Sequence, residues 1–213
     1  MERSSMAITE LRSVETVGSM STLSRAKSFQ RSPLRTWRRD AFANEKDAMR
    51  TKLHWIEGPW LGRLAIMPRP RGGDWLEEEI QAWRRSGVEV VVSLLMPDER
   101  DELNLVEEGS LCRKSDIEFV SFPIIDRSVP ASMDAFSNLM TELAGQLFNG
   151  KNIAVHCRQG IGRAGIVAIC LLISSDIEQE AAVKRVGSAR GCSVPETPEQ
   201  RRWITNFAKS LVA

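Results

Sequence analysis

Residues 152–167, NIAVHCRQGIGRAGIV, hold the pattern that decides the fold. Their apolar run, 153–155, is too short for a helix and follows a turn-like segment, which is typical of a buried strand. Gly160 and Gly162 come next, and glycine permits backbone angles that other side chains forbid. From residue 164 onward the sequence becomes apolar at helical spacing. The stretch therefore predicts a strand, a tight loop and the start of a helix.

The predicted loop begins with a cysteine and ends with an arginine, Cys157 and Arg163. A loop that wraps over a helix N-terminus directs several backbone N–H groups at one point, where the helix dipole also favours negative charge. The planar guanidinium of an arginine binds phosphate oxygens two at a time. Helix N-termini and nearby cations favour the thiolate form of cysteine. The loop is therefore an anion site that contains a nucleophile, which suits covalent phosphoryl transfer.

The segment from His156 to Arg163, HCRQGIGR, resembles the H-C-x5-R signature of the cysteine-dependent phosphatases, in the dual-specificity and protein-tyrosine phosphatase superfamily. The resemblance covers about residues 53–211 and is closest to compact, bacterial-type members. It implies an α/β fold with a central, mainly parallel sheet flanked by helices. It also implies that Cys157 attacks phosphorus, that Arg163 binds the phosphate, and that no metal or other cofactor takes part.

The same resemblance assigns the phosphate cradle to the loop residues that follow the cysteine, namely Arg158, Gln159, Gly160, Ile161, Gly162 and Arg163. It gives His156 a supporting role, in which the imidazole steadies the loop and influences the thiol. A Cys/His pair of the thiol-hydrolase kind is the alternative for His156. Adjacent residues on a strand point to opposite faces, which argues against that pair.

A second segment, residues 123–130 with the sequence PIIDRSVP, resembles the P-I-x-D-x-x-x-P loop that carries the general acid in this family. Its Asp126 lies 31 residues before Cys157, which resembles the family spacing. The reaction needs a carboxylic acid here because an alkoxide is a poor leaving group unless it is protonated. The alternative is that Asp126 caps a turn or the next helix.

One residue departs from the family pattern. Ala164 follows Arg163 directly, where the family usually has a serine or threonine whose hydroxyl stabilises the departing thiolate. The departure affects hydrolysis of the phospho-enzyme more than its formation. Three alternatives therefore stay open: a weakly catalytic phosphate- or phosphoprotein-binding relative, a sulfur transferase, and an arsenate reductase that would need a resolving cysteine such as Cys192.

The remaining segments predict strands that alternate with helices, which favours a mainly parallel sheet with its active loops at the carboxyl ends of the strands. The β-branched run 88–95 is typical of a strand buried on both faces. Residues 98–108 predict a helix whose many charges form a solvated face. Near the C-terminus, Thr197 and Gln200 form a capping-box pattern. Some relatives use a glutamine near this point to orient water, but the capping role is favoured for Gln200.

Composition narrows the class of protein and of partner. A net charge of +1 argues against a general nucleic-acid binder. Four irregularly spaced cysteines favour a reducing compartment, the cytoplasm, and no zinc site. The sequence has neither an apolar run of membrane-spanning length nor a signal-peptide pattern. We expect the partner to be a phosphorylated protein or a small phosphomonoester. The loop lacks the lysines of lipid phosphatases, which favours phosphotyrosine and then phosphoserine or phosphothreonine.

Two domains of unequal character are predicted, a basic extension over 1–52 and a phosphatase-like catalytic domain over 53–213. The extension carries eleven Lys or Arg against six Asp or Glu and is rich in serine. Its apolar residues show no clear period, which predicts a disordered, solvated tail. One alternative explanation is an early start codon, with Met6, Met20 or Met49 as the other possible starts. Another is a targeting peptide, because such segments are rich in arginine and serine, although Glu10 and Glu15 argue against it.

Overall fold

The computed structural model describes residues 51–211. One five-stranded sheet runs through this part of the chain, built from β1 (His54–Ile56), β2 (Leu64–Met67), β3 (Val90–Ser93), β4 (Glu118–Ser121) and β5 (Ile153–His156). The spatial order is β1-β2-β5-β3-β4. Strand β1 pairs antiparallel with β2, and the other neighbours pair in parallel. The prediction of a mainly parallel α/β sheet is confirmed.

Seven α-helices flank the sheet within the described residues: α1 (Leu76–Arg85), α2 (Pro97–Glu102), α3 (Glu108–Lys114), α4 (Met133–Phe148), α5 (Gly162–Ile173), α6 (Gln179–Arg190) and α7 (Pro198–Ser210). A short 3₁₀ turn, Gly73–Trp75, precedes α1. Helices α4 to α7 pack against one face of the sheet, and α1 and α3 pack against the other. The protein therefore has three layers with the sheet in the middle.

The central strands consist of nearly unbroken apolar runs because both faces of the sheet are covered. Val90 and Val92 of β3 face α4 and α5, whereas Val91 between them faces α1. All three valines are fully buried. Successive side chains of a strand point to opposite faces of the sheet, so one apolar run contributes to the core on each face.

The parallel register brings the carboxyl ends of the central strands to one edge. His156 at the end of β5 lies beside Ser93 of β3 on one side and Met67 of β2 on the other. The segments that leave these strands therefore start side by side. In open α/β sheets ligands bind at this edge, and Cys157 is the first residue after β5.

The structure corrects the helix predicted over 98–108. Two short helices, α2 and α3, stand there instead, separated by residues 103–107. Leu105 in that break is fully buried against the second face of the sheet. Glu99 and Glu108 are buried as well, so the prediction of a solvated charged face was wrong for these two. Their partners lie far away in the sequence, where a local pattern does not reach.

The predicted extension over 1–52 lies outside the described residues except for its last two positions. Across residues 51–211, none of the helices is sufficiently long and apolar to cross a membrane.

Phe136 tests the packing of the first core. Its ring is fully buried on α4 and meets Trp203 and Phe207 edge-to-face, at centroid distances of 4.6 and 5.5 Å. We expect Phe136→Ala to lower the free energy of unfolding by about 3–5 kcal/mol, measured by urea denaturation. Phe148→Ala, on the same helix but 49% exposed, is the control. Equal losses in the two variants would contradict the packing described here.

Candidate active site

Cys157 begins the loop between β5 and α5 and is almost completely buried, at 3% exposure. The backbone N–H of Gly160 donates to its Sγ across 3.2 Å. Helix α5 begins at Gly162, so the positive end of its dipole points into the same loop. The sulfur thus accepts a hydrogen bond from one loop amide and lies near a helix N-terminus.

Gly160 makes the tight loop possible. Its φ is +67°, and a Cβ at this position would lie 2.3 Å from the carbonyl oxygen of Met67. The loop backbone therefore presses directly against the end of β2. Only glycine combines this left-handed angle with this close approach.

Arg190, at the end of α6, holds the loop from outside. Its Nε donates to the carbonyl of Gly160 at 3.2 Å, and its Nη2 donates to the carbonyl of Gln159 at 3.1 Å. A carbonyl and the N–H of the next residue point in opposite directions across a peptide plane. The two carbonyls turned toward Arg190 therefore direct the N–H groups of residues 160 and 161 the other way. Sequence reasoning missed this residue because it lies 30 residues after Gly160 in the chain.

Arg163 closes the loop with a guanidinium that is 2% exposed and held by several acceptors. Nη1 and Nη2 donate to the two carboxylate oxygens of Glu99, at 2.6 and 2.9 Å. Nη1 also donates to the carbonyls of Ile124 at 2.9 Å and Leu94 at 3.3 Å. The bidentate carboxylate fixes the plane of the guanidinium. Sequence reasoning did not identify Glu99, because this residue lies in a segment that was predicted to be a helix with a solvated charged face.

Arg163 and Glu99 each stabilise the charged form of the other. Burial lowers the pKa of Arg163, but its hydrogen bonds to Glu99 and the nearby Cys157 and Asp126 raise it above its ordinary value. Burial raises the pKa of Glu99, but hydrogen bonds from Arg163 and from the backbone N–H of Met96 hold it below its ordinary value. Both groups are therefore charged near neutral pH.

Asp126 meets the cysteine loop through the same guanidinium. Its Oδ1 accepts from Nη2 of Arg163 at 2.7 Å, and half of its side chain (51%) is exposed. The sequence placed both residues in one site, and the structure brings them together. The N-cap of the following helix α4 is Ser132, whose hydroxyl accepts from Ala135, so Asp126 does not cap that helix.

A pocket of about 150 Å³ lies over the loop, lined by Asp126, Arg127, Cys157, Arg158, Gln159, Gly162, Arg163 and Glu196. A larger surface groove of about 660 Å³ lies between α6 and α7 and contains none of the loop residues. The smaller pocket is the one that Cys157 lines. Gly160 and Ile161 belong to the loop but do not line the pocket.

His156 lies under the loop on the opposite face of the sheet from Cys157. It is fully buried beside Trp83, with ring centroids 6.5 Å apart. Its Nε2 is 2.8 Å from Oε1 of Glu108, which is also fully buried, but the contact does not have hydrogen-bond alignment. The arrangement fits a supporting role for His156 rather than a Cys/His pair. Glu108 is a further residue that sequence reasoning missed.

Gln200 forms the predicted capping box, which is confirmed. Its Oε1 accepts from the N–H of Thr197 at 3.2 Å, and the Thr197 hydroxyl accepts from the N–H of Gln200 at 3.2 Å. The Nε2 of Gln200 donates to the carbonyl of Ser128 at 3.1 Å. The fully buried glutamine therefore also ties α7 to the loop that carries Asp126.

The fold and the site define a class of protein: an α/β domain with a cysteine in an amide-lined loop that an arginine completes. Residues 65–176, more than half of the chain, match the family model described as polymorphic toxin system, DSP-PTPase phosphatase. The chain therefore belongs to the DSP-PTPase phosphatase family, which confirms the family predicted from the loop sequence.

Known relatives agree with this placement. A protein of Invertebrate iridescent virus 6 whose name marks it as a tyrosine phosphatase is 26% identical over 150 residues, 68% of this chain and 53% of the relative. Cyclin-dependent kinase inhibitor 3 of Rattus norvegicus is 26% identical over 140 residues, 65% of this chain and 66% of the relative. The chain thus spans between about half and two thirds of these relatives.

A solved structure supports the fold. Kinase associated phosphatase, crystallised with its catalytic-site cysteine replaced by serine, superposes with a TM-score of 0.70 at 21% sequence identity. The match covers 78% of this chain and 98% of that one. At this level of identity the likeness establishes a shared fold.

Gly160→Ala tests the conformation of the loop. We expect it to weaken tungstate binding, measured by calorimetry, by about tenfold or more, since the methyl group forces the backbone away from Met67 and adds about 1–3 kcal/mol of strain. Gly150→Ala is the control, because its φ is also positive (+89°) but its Cβ would meet nothing closer than 3.9 Å. Equal affinity in both variants would contradict the need for glycine at 160.

Glu99→Gln tests the buried ion pair through pH. Because the folded chain holds the pKa of Glu99 below the ordinary 4.5, protonation favours the unfolded chain. This stabilisation is complete above pH 4.5 and is lost as pH falls below it. We expect the variant to be less stable than wild type at pH 7, and the difference to shrink on acidification, in urea titrations at several pH values. Glu118, whose pKa Lys151 lowers, is common to both proteins and cancels. A constant difference would refute the assignment.

Proposed function

We propose that this chain is a phosphomonoester hydrolase that acts on phosphotyrosine, and on phosphoserine and phosphothreonine, through a cysteinyl-phosphate intermediate. The observation that carries the proposal is the Sγ of Cys157, which accepts from a loop amide at a helix N-terminus beside a fixed guanidinium. Amide donors and a guanidinium together stabilise the charge that develops on the oxygens of a transferring phosphoryl group.

In the first step the Cys157 thiolate attacks phosphorus, the S–P bond forms and the bond to the leaving oxygen breaks. The phosphate oxygens are held by the amides of residues 158–163 and by Arg163. The phosphate oxygens compete with Asp126 for Nη2 of Arg163, because Asp126 Oδ1 contacts this nitrogen at 2.7 Å. A substrate phosphate therefore displaces the Asp126 carboxylate from Arg163. Away from that cation Asp126 takes a proton from solvent, and it donates this proton to the leaving oxygen.

In the second step water attacks phosphorus and the thiolate leaves, and the family resemblance assigns the role of base to Asp126. Ala164 has no hydroxyl to stabilise the departing thiolate. The amide of Gly160 at 3.2 Å takes a larger share of that role. This step is expected to limit the turnover of the enzyme.

A phosphorylated protein is the proposed partner, rather than a nucleic acid or a membrane. Two relatives carry names that refer to a tyrosine phosphatase and a kinase inhibitor, and the cradle of this chain has no lysine for additional phosphates. The cytoplasm is the proposed location, because all four cysteines are free thiols. Burial and the charge of Glu108 raise the pKa of Cys112 to about 12, which keeps that thiol protonated and unreactive.

Ala164 favours a second candidate function, a phosphoprotein-binding module that turns over slowly. Such a module would keep the cradle and form the cysteinyl phosphate without releasing it. The presence of Asp126 in the pocket favours catalysis instead, since binding alone needs no general acid. A sulfur transferase likewise needs no such acid.

Phenyl phosphate hydrolysis near pH 6, without added metal, tests the proposal. We expect steady turnover for the wild type, none for Cys157→Ser, and a loss of about 10²–10⁴-fold for Asp126→Asn, because phenoxide leaves slowly unless protonated. Asp134→Asn, an exposed aspartate on α4, is the matched control and should retain wild-type activity.

Each other result has a defined meaning. Full activity in Asp126→Asn would reject the acid assignment. One equivalent of phenol followed by near silence in the wild type would favour the binding module, with the block at hydrolysis of the phospho-enzyme. No phenol from the wild type would reject the hydrolase proposal.

A further inference from the structure

The pocket contains a second carboxylate, which neither the sequence pattern nor the mechanism above uses. Glu196 lines the pocket together with Asp126 and Cys157, and its side chain is 43% exposed. Its Oε2 lies 3.2 Å from the point that a Cβ on Gly162 would occupy. The carboxylate and the Gln200 amide, whose Nε2 lies 2.9 Å from the same point, both approach the backbone of the loop at the first residue of α5.

Hydrogen bonds fix the backbone that carries Glu196. Its N–H donates to the Oε1 of Gln200 at 3.1 Å, and the Nε2 of the same glutamine donates to the carbonyl of Ser128. Both ends of the Gln200 amide are therefore engaged within the protein. The carboxylate of Glu196, not the amide of Gln200, is the polar group that this segment presents to the pocket.

The two carboxylates of the pocket have different environments. Asp126 contacts the buried Arg163 at 2.7 Å, whereas the cation beside Glu196 is Arg127, whose Nε is 3.8 Å from Oε1 and whose side chain is 68% exposed. A carboxylate in a phosphate pocket repels the dianionic ligand, because like charges at short range are unfavourable. The charge of Glu196 therefore weakens substrate binding, and a role in a later step would offset that cost.

We propose that Glu196, rather than Asp126, is the base that binds and deprotonates the water in the second step. The inference rests on the hydrolase function proposed above. The water oxygen forms a bond to phosphorus, its proton passes to the Glu196 carboxylate, and the P–S bond breaks to return Cys157 as a thiolate. Asp126 then acts as acid in the first step, and Glu196 acts as base in the second. A stronger nucleophile offsets the poorer departure of a thiolate that Ala164 does not assist.

Rapid-quench kinetics with p-nitrophenyl phosphate separates the two steps. We expect Glu196→Gln to release one equivalent of p-nitrophenol at the wild-type burst rate, followed by a steady state about 10²-fold slower than wild type. Intact-protein mass after denaturation should show one phosphoryl group on the variant, located at Cys157. A full burst also demonstrates that the variant is folded and that its cradle is intact. The matched control is Glu199→Gln, an exposed glutamate three residues away on α7, which should match wild type.

The other outcomes overturn the inference in distinguishable ways. Steady-state turnover of Glu196→Gln equal to that of the wild type, without trapped phosphocysteine, rejects Glu196 as the base and leaves the hydrolase function standing. A slowed burst assigns Glu196 to the first step and also rejects the inference. Absence of p-nitrophenol release from the wild type rejects the hydrolase function, and the role of Glu196 with it.

Discussion

The buried pair of Arg163 and Glu99 is the interaction on which the active edge of this protein depends. Burying two charges is costly, and their attraction offsets that cost only when geometry and additional hydrogen bonds are good. Here the guanidinium also donates to the carbonyl of Leu94 after β3 and to the carbonyl of Ile124 after β4. One side chain thus joins α5, α2 and two strand ends, so the same contacts that hold these elements together set the position of the guanidinium.

The sequence and the structure agree wherever the constraint is local. A buried strand, a glycine at positive φ and a helix start all leave signs within a few residues, and Cys157, Gly160 and Arg163 stand where those signs predict. The sheet follows from alternation of apolar runs. Asp126 was identified through a resemblance in its own loop, and it meets Arg163 in the structure at 2.7 Å.

The residues that were missed act over long separations. Glu99 and Glu108 belong to a highly charged segment that is typical of a solvated helix, yet their partners are Arg163 and His156, 64 and 48 residues away. Leu105, in the break between the two short helices, is buried against the second face of the sheet. A carboxylate is buried only where it has a polar or charged partner. For these two glutamates the partner is close only in the folded chain, so a local sequence pattern does not reveal it.

Ala164 connects the packing of the core to the chemistry of the site. Its methyl group is fully buried among the apolar side chains under the sheet, so the position contributes to packing and gives no hydroxyl to the sulfur. Stabilisation of the thiolate then comes from the amide of Gly160 and the end of α5. Those donors act equally on the attacking and the departing thiolate, and therefore they do not favour departure over attack. In the proposed mechanism, a chain that lacks this hydroxyl must accelerate the second step by activating the attacking water. The pocket has two carboxylates for that role, Asp126 and Glu196.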